Sequence, residues 1–304
     1  MDTEKTKIVL CPNIESDEGL KMTLAAYDVL AECGRRAVIC PLLRDNISFL
    51  GFGVNGSSLR DVEVAELESA LPSAEMLITF GGDGTILHAA REAADFETPI
   101  LGVNMGGKGF IAELETDDIG RLSEVASGRY ELEKRMMLDV EVIRGEEPAF
   151  RDFALNDAVI KGDNKVIDLT LLGDGQRIIR FSGDGAIIAT PTGSTAYSMA
   201  AGGPIVEPAA QNIIITPICA HILEAKSFVL VSDRIVSVEI GWRKHNPAYL
   251  SVDGNDHVNL IEGDRISVRK SEKNTQLVRL GERSFYEKVS VKLGEKFVNQ
   301  VYKP

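Results

Sequence analysis

Four short, unbroken apolar runs punctuate the first third of the chain: KIVLCP from residue 7, RAVICPL from residue 36, EMLITF from residue 75 and PILGVN from residue 99. Between them lie longer segments that read as helices, over Ser16 to Cys33, Val62 to Leu71 and Thr85 to about Ala94. A strand without a polar face must be covered on both sides, and strands joined through helices run parallel. The spacing therefore predicts an α/β domain, a parallel sheet with helices on both faces. A last helix, capped by Thr116 ahead of Asp117 and Asp118, would carry Ile119, Leu122 and Val125 along one face.

After about residue 130 the texture changes. YELEKRMMLDVEVI, ALNDAVI, KVIDLTLL, QRIIRFS, AIIATP, IVSVEI, ISVRK and QLVRL are short and strand-like, and Gly173-Asp174-Gly175 is a hairpin signal between two of them. This half predicts an all-β, sandwich-type domain. No Pro-, Gly- or Ser-rich linker separates the halves, so residues 1–130 and 131–284 are divided by texture alone. SFYEKVSVKLGEKF, which follows, is ambiguous between helix and strand, with its Glu and Lys content favouring helix.

With 304 residues, 44% of them apolar, the chain can bury a sizeable core in one large domain or two ordinary ones. A formal charge of −13 argues against general affinity for nucleic acid or an anionic membrane, so any anion site must be built locally. No apolar run approaches the roughly 20 residues that span a bilayer. The N-terminus MDTEKTKIVLCP lacks the apolar stretch of a signal peptide, which gives a cytoplasmic expectation. Cys11, Cys33, Cys40 and Cys219 show no CxxC spacing and lie in apolar settings, as ordinary buried thiols do.

The chemistry is signalled by glycines. In LITFGGDGTILHAA, Gly81, Gly82 and Gly84 surround Asp83 at the end of a strand, and Thr85 opens a helix. Glycines let a phosphate reach backbone N–H groups, and a helix N-terminus adds favourable partial charge. A carboxylate beside phosphates needs a metal ion or a proton-transfer role; a tight turn with Asp83 as helix cap fits the same letters. A second glycine-rich loop, GVNMGGKGF, follows the strand ending at Asn104. It nearly spells a P-loop through Gly102, Gly107 and Lys108, but Gly109 stands where a magnesium-binding Ser or Thr belongs. Gly107, Gly109 and Ala112 also form a weak dinucleotide fingerprint. Two glycine loops at one sheet edge favour a nucleotide site.

The third cluster lies in the β-rich half. TPTGSTAYS, residues 190–198, holds five hydroxyl side chains besides Tyr197, enough for a hydrogen-bonding wall around a base and ribose. A Ser/Thr-rich turn before a helix is the alternative. Asn156 and Asp157 stand side by side in ALNDAVI, where a solvated turn is the simplest reading of the pair alone.

Taken together and in order, GGDGT (81–85), GVNMGGKGFI (102–111), LNDAVI (155–160), GDGAIIATPTGSTAYSMAAGGPIV (183–206) and TPICAH (216–221) resemble the NAD kinase family. GGDG by itself is shared with lipid kinases and phosphofructokinases; the long TPTGSTAYS segment joined to the other four is specific. The resemblance implies transfer of a phosphoryl group from ATP or polyphosphate to the 2'-hydroxyl of the adenosine ribose of NAD, giving NADP, in a cleft between an α/β and a β-sandwich domain. It implies Asp83 as the catalytic base, with Gly81, Gly82, Gly84 and Thr85 as the phosphate loop. Asn156 and Asp157 match an Asn-Glu pair at the ribose and adenine, Asp157 being one methylene shorter than the usual Glu. Asp184 matches an aspartate at the nicotinamide end, and Thr192, Thr195, Ala196 and Tyr197 match the adenine pocket.

The likeness further implies magnesium carried by the triphosphate, without a metal held tightly by the protein, and a homodimer or homotetramer. It returns residues 285–304 to the first domain. Asp253 and Gly254 resemble a family DGQ, with Asn255 for Gln, but a hairpin turn fits these letters equally well. His88 and His221 are assigned no catalytic part. A lipid kinase sharing GGDGT would want an apolar channel instead of the polar TPTGSTAYS wall, and a non-catalytic NAD(P) sensor would keep the fold without turnover.

Overall fold

Strand β1 (Lys7–Pro12) forms on the first apolar run and is buried along nearly its whole length. The structure, a computed structural model, describes residues 6–42, 62–106, 109–222, 225–241, 246–255, 258–261, 263–281 and 285–294. It divides into two units, residues 1–134 with 275–304, and residues 135–274.

In the first unit β1, β2 (Arg36–Ile39), β3 (Ala74–Gly81), β4 (Ile100–Asn104) and β5 (Leu114–Glu115) pair in parallel, with β1 between β2 and β3 and β4 beyond β3. Pro12 stands opposite Phe80 and Gly81 opposite Asn104, so the loops after β1, β3 and β4 leave the same carboxyl edge. Leu30 of helix α1 (Lys21–Glu32) packs with Ile8, Leu10, Leu101 and Val103. Helix α2 (Asp83–Ala93) takes the opposite face. Gly102 points away from Leu101 and Val103, and a Cβ there would lie 2.5 Å from Ile86 Cδ1 of α2.

Several boundaries differ from the sequence reading. The first helix starts at Lys21, not Ser16, because Leu20 adopts a left-handed conformation (φ 54°) after a short 3₁₀ turn. Asp17 then caps it from a distance, its carboxylate accepting the Met22 and Thr23 N–H groups and the Thr23 hydroxyl. In place of a helix over Val62–Leu71, Val64 bridges to Ile39 and only Leu67–Ala70 is α-helical. Helix α2 begins at Asp83 instead of Thr85. Thr116 is not the cap of its helix; Glu115 is, in a capping box with Asp118. Cys11 and Cys40 are buried as expected, whereas Cys33 and Cys219 are exposed.

The second unit contains two antiparallel layers. One consists of β13 (Phe228–Val231), β12 (Asn212–Ile218), β11 (Gly185–Ala189), β8 (Asp157–Gly162), β15 (Ala248–Val252) and β16 (Val258–Leu260), in that order. In the other, β10 (Gln176–Gly183), β9 (Ile167–Gly173), β14 (Val236–Gly241) and β17 (Arg265–Arg279) pair in sequence, and β6 (Glu131–Arg144) pairs with β7 (Glu147–Ala154). Ile160, Ala186, Ile188 and Ile215 of the first layer share one apolar cluster with Leu169, Leu171, Val238 and Ile266 of the second, which is sandwich packing. The hairpin at Gly173 forms, with Asp174 and Gly175 both at positive φ. ISVRK and QLVRL, which read as two strands, are one fifteen-residue strand, β17. Phe285–Gly294 is a helix. Among the described residues no helix is long and apolar enough to cross a membrane.

Candidate functional site

In the first unit β3 delivers Gly81 to the carboxyl edge of the sheet, Gly82 caps α2 in an extended conformation, and Asp83 is the first helical residue. The Asp83 carboxylate does not cap its own helix. It reaches to the second glycine loop, where Oδ2 accepts the Phe110 N–H at 2.7 Å and Oδ1 the Ile111 N–H at 3.1 Å. Gly109 makes this approach possible, since a Cβ there would stand 2.5 Å from Asp83 Oδ1. Asp83 is half-buried, and each carboxylate oxygen keeps a lone pair for a further donor.

The other loop residues divide by what they touch. Thr85 is buried, its Oγ1 accepts the Asn13 amide at 3.4 Å, and a Cβ on Gly81 would collide with that oxygen at 2.1 Å. Gly81 is thus required by packing. A Cβ on Gly82 or Gly84 would meet nothing within 4 Å, and neither has positive φ. Their missing side chains serve nothing inside the described protein; they leave the first amides of α2 open, as a phosphate requires. Gly107 and Lys108 of the near P-loop lie outside the described residues.

The second unit builds its site around the start of β8. Asp253, in the turn after β15 with φ 50°, accepts the N–H groups of Leu155, Asn156 and Asp157 at 2.7, 2.8 and 3.0 Å. The segment VDGN is therefore a turn, and its carboxylate fixes the Asn156-Asp157 backbone. On the other side the Thr190 N–H donates to the Asn156 carbonyl at 2.8 Å and the Thr190 hydroxyl to the Leu155 carbonyl at 2.6 Å. Gly193 lies so close that a Cβ would stand 2.2 Å from the same Asn156 oxygen.

Asn156 and Asp157 are both buried, so they do not form a solvated turn. Asn156 Oδ1 has no hydrogen-bond partner among the described residues, a cost of about 1–3 kcal/mol that a ligand donor would relieve. Burial, and then the negative charge of Asp253, push the Asp157 carboxyl up to about 7. Burial also raises Asp253, outweighing the three amides that favour its charged form.

The hydroxyls of TPTGSTAYS fold the segment before they face any ligand. Ser194 donates to the Pro191 carbonyl at 2.6 Å and accepts the Val206 N–H at 3.0 Å. Ser198 and Thr216 share a bond of 2.8 Å, Thr195 donates to the Thr192 carbonyl at 3.2 Å, and Thr192 accepts from Arg135 at 3.2 Å. What the segment presents outward is the backbone at Ala196, half-buried, and the ring of Tyr197, 39% exposed.

Asp184 is set apart from this group. Gly185 pairs with Lys161 and Ala189 with Asp157, so Asp184 and Asp157 lie at opposite ends of two paired strands, about 17 Å apart at the usual rise per residue. Asp184 borders a cavity of about 350 Å³ lined also by Lys161, Asp163, Lys165 and Tyr249. His221 is exposed. Among the described residues no three His, Cys, Asp or Glu side chains converge as a metal site. The sequence pairs neither Gly109 with Asp83 nor Asp253 with the amides of residues 155–157. Neither has a signal in the letters, because the partner is a side-chain oxygen or backbone amides distant along the chain.

Residues 26–130 match the family model for the ATP-NAD kinase N-terminal domain and residues 155–280 that for the ATP-NAD kinase C-terminal domain. The chain is 38% identical over 289 residues to an NAD kinase of Natranaerobius thermophilus, covering 93% of this chain and 96% of that protein. It is 35% identical over 284 residues to an NAD kinase of Acetivibrio thermocellus, covering 92% and 94%. The crystal structure of yeast NADH kinase complexed with NADH is similar with a TM-score of 0.80 at 23% identity, covering 99% of this chain and 90% of that one. An NAD kinase from Archaeoglobus fulgidus in complex with ATP gives 0.67 at 24% identity, covering 93% and 99%. At these identities the two structures bear on the fold.

Proposed function

This chain belongs to the NAD kinase family, and from that membership we propose that Asp83 takes the proton from the ribose hydroxyl on which the reaction occurs. The protein phosphorylates NAD to NADP. The 2'-hydroxyl oxygen of the adenosine ribose forms a bond to the γ-phosphorus of ATP, the bond from that phosphorus to the β,γ-bridging oxygen breaks, ADP leaves, and the hydroxyl proton passes to Asp83. The observation that carries this role is the pair of backbone amides, from Phe110 and Ile111, that fix both Asp83 oxygens while leaving each able to accept once more. A base so oriented typically contributes about 10²- to 10⁴-fold.

The open amides at Gly82 and Gly84 receive phosphate oxygens, with Gly81 and Thr85 shaping the turn. Magnesium carried by the triphosphate would offset the charge that develops in transfer, as an ion that binds few carboxylates and several phosphate oxygens can. Residues 1–130 with about 285–304 serve as the phosphate-loop domain and residues 131–284 as the NAD-binding domain. Asn156 Oδ1, buried without a partner among the described residues, accepts from the adenosine half of NAD beside Asp157. Ala196 and Tyr197 line the adenine with Thr192 and Thr195. The distance of Asp184 from Asp157 along the strands supports its assignment to the nicotinamide end. A homodimer or homotetramer in the cytoplasm, without nucleic acid or membrane, completes the reading; it rests on the family likeness and the net charge of −13, and sedimentation tests the assembly.

The direct test is NADP formation from NAD, ATP and magnesium, read with an NADP-specific dehydrogenase, for the wild type and Asp83→Asn. The expected result is a kcat about 10²- to 10⁴-fold lower in the variant with NAD binding retained. An Asp83→Asn enzyme with wild-type kcat overturns the role. Polyphosphate in place of ATP tests the donor, and chelation of magnesium is expected to stop turnover while NAD still binds.

A further inference from the structure

We propose that Arg279 and Lys288, near the end of the chain, are positioning residues for Asp83, holding residues 111–113 through the Ile111 and Ala112 carbonyls and the Glu113 carboxylate. The proposal rests on Asp83 being the base. Arg279 Nη1 donates to the Ile111 carbonyl at 2.9 Å and to Glu113 Oε2 at 3.1 Å, while its Nε donates to Glu133 at 2.5 Å. Lys288 Nζ donates to the Ala112 carbonyl at 3.0 Å and to Glu113 at 3.2 Å. The Leu280 N–H donates to the second Glu113 oxygen at 3.0 Å.

Ile111 is therefore gripped twice, through its N–H by Asp83 and through its carbonyl by Arg279. The two bonds hold the peptide planes on either side of its Cα. Before it, Gly106, at φ 107°, and Gly109 contribute no side chain to packing. The following residues add restraint, since the Glu113 N–H donates to the Gly102 carbonyl at 3.0 Å. These contacts are not the exposed ion pairs that contribute little. The Glu113 side chain is only 5% exposed, and those of Arg279 and Lys288 16% and 13%. Burial pushes the Glu113 carboxyl up, but Lys288, the Leu280 amide and Arg279 outweigh it and hold it below the usual glutamate range. The acid stays ionised, and the two cations stay fixed on the carbonyls.

The test uses the full chain with Arg279→Met, Asp83→Asn and the double variant, measuring kcat, both KM values and thermal unfolding. Arg279→Met is expected to lower kcat about 10- to 100-fold, the scale of a misplacement near 1 Å, with KM for NAD and ATP within about threefold. In the Asp83→Asn background the same change is expected to cost less than about threefold, because a brace acting through Asp83 has nothing left to position. Arg279→Lys, which keeps the charge and one donor direction, is expected to recover part of the rate. Wild-type kcat in Arg279→Met, or an equal loss with and without Asp83, overturns the brace. Full activity in Asp83→Asn overturns the catalytic reading instead. If Arg279→Met fails to fold, Lys288→Met decides by the same comparison.

Discussion

Gly109→Ala tests the placement of Asp83 without touching the carboxylate. The added Cβ would stand 2.5 Å from Asp83 Oδ1 and 3.2 Å from Cγ, against about 3.5 Å for comfortable contact. Relief requires the carboxylate to retreat by about 1 Å, since the alanine itself has no torsion that helps. Such a retreat stretches the bonds from Phe110 and Ile111, now 2.7 and 3.1 Å, toward or beyond the length at which a hydrogen bond still counts. A displacement of this size at the reacting group costs about 10²-fold, or about 2.7 kcal/mol of barrier. The expected result in the coupled NADP assay is a kcat lowered about 10- to 100-fold, with KM for NAD nearly unchanged and a modest shift in thermal unfolding. A Gly109→Ala enzyme with wild-type kcat would show that the Asp83 geometry does not govern the rate. A raised KM at constant kcat would assign the loop to binding alone.

Gly84→Ala meets no atom of the described protein and gains helix propensity, so thermal unfolding should rise by up to about 1 kcal/mol while KM for ATP increases; unchanged KM would mean that no phosphate approaches there. Asp157, raised from 3.8 to about 7, keeps its proton in the folded state after the unfolded chain has lost it. Its contribution to stability therefore falls as pH rises from about 4 to 7, and Asp157→Asn should flatten that slope in urea titrations. The affinity for NAD should lose its inflection near pH 7 in the same variant if the ionised carboxylate is the acceptor. Asp253→Ala removes the acceptor of three amides and should cost about 3 kcal/mol in denaturant unfolding, weakening NAD binding while leaving KM for ATP unchanged.

The parts of the fold legible in the sequence are those specified by local pattern. Strands β1, β3 and β4 are apolar runs, buried nearly throughout, and an unbroken apolar run of that length has few other fates. Asp174-Gly175 marks the β9–β10 turn because both residues tolerate positive φ. The letters divide strand β17 into two pieces because KSEKNT in its middle is polar, yet Ser271 and Thr275 there are 5% and 3% exposed; the pairing of neighbouring strands, not apolarity, carries the chain through. The start of the first helix is not legible because the left-handed Leu20 has no compositional mark.

For the site, the letters supply the residues: glycines without side chains at 81, 82 and 84, an acid among them, and the ordered motifs that identify the family. What holds them comes from the folded chain. Asp83 is fixed by amides 27 and 28 residues away, and the segment bearing them by a guanidinium 168 residues from Ile111. Asp253 fixes Asn156 and Asp157 from nearly a hundred residues off. In each case one partner is a backbone N–H or carbonyl, which almost every residue possesses. Such a partner leaves no letter to read, and only the folded path of the chain selects it.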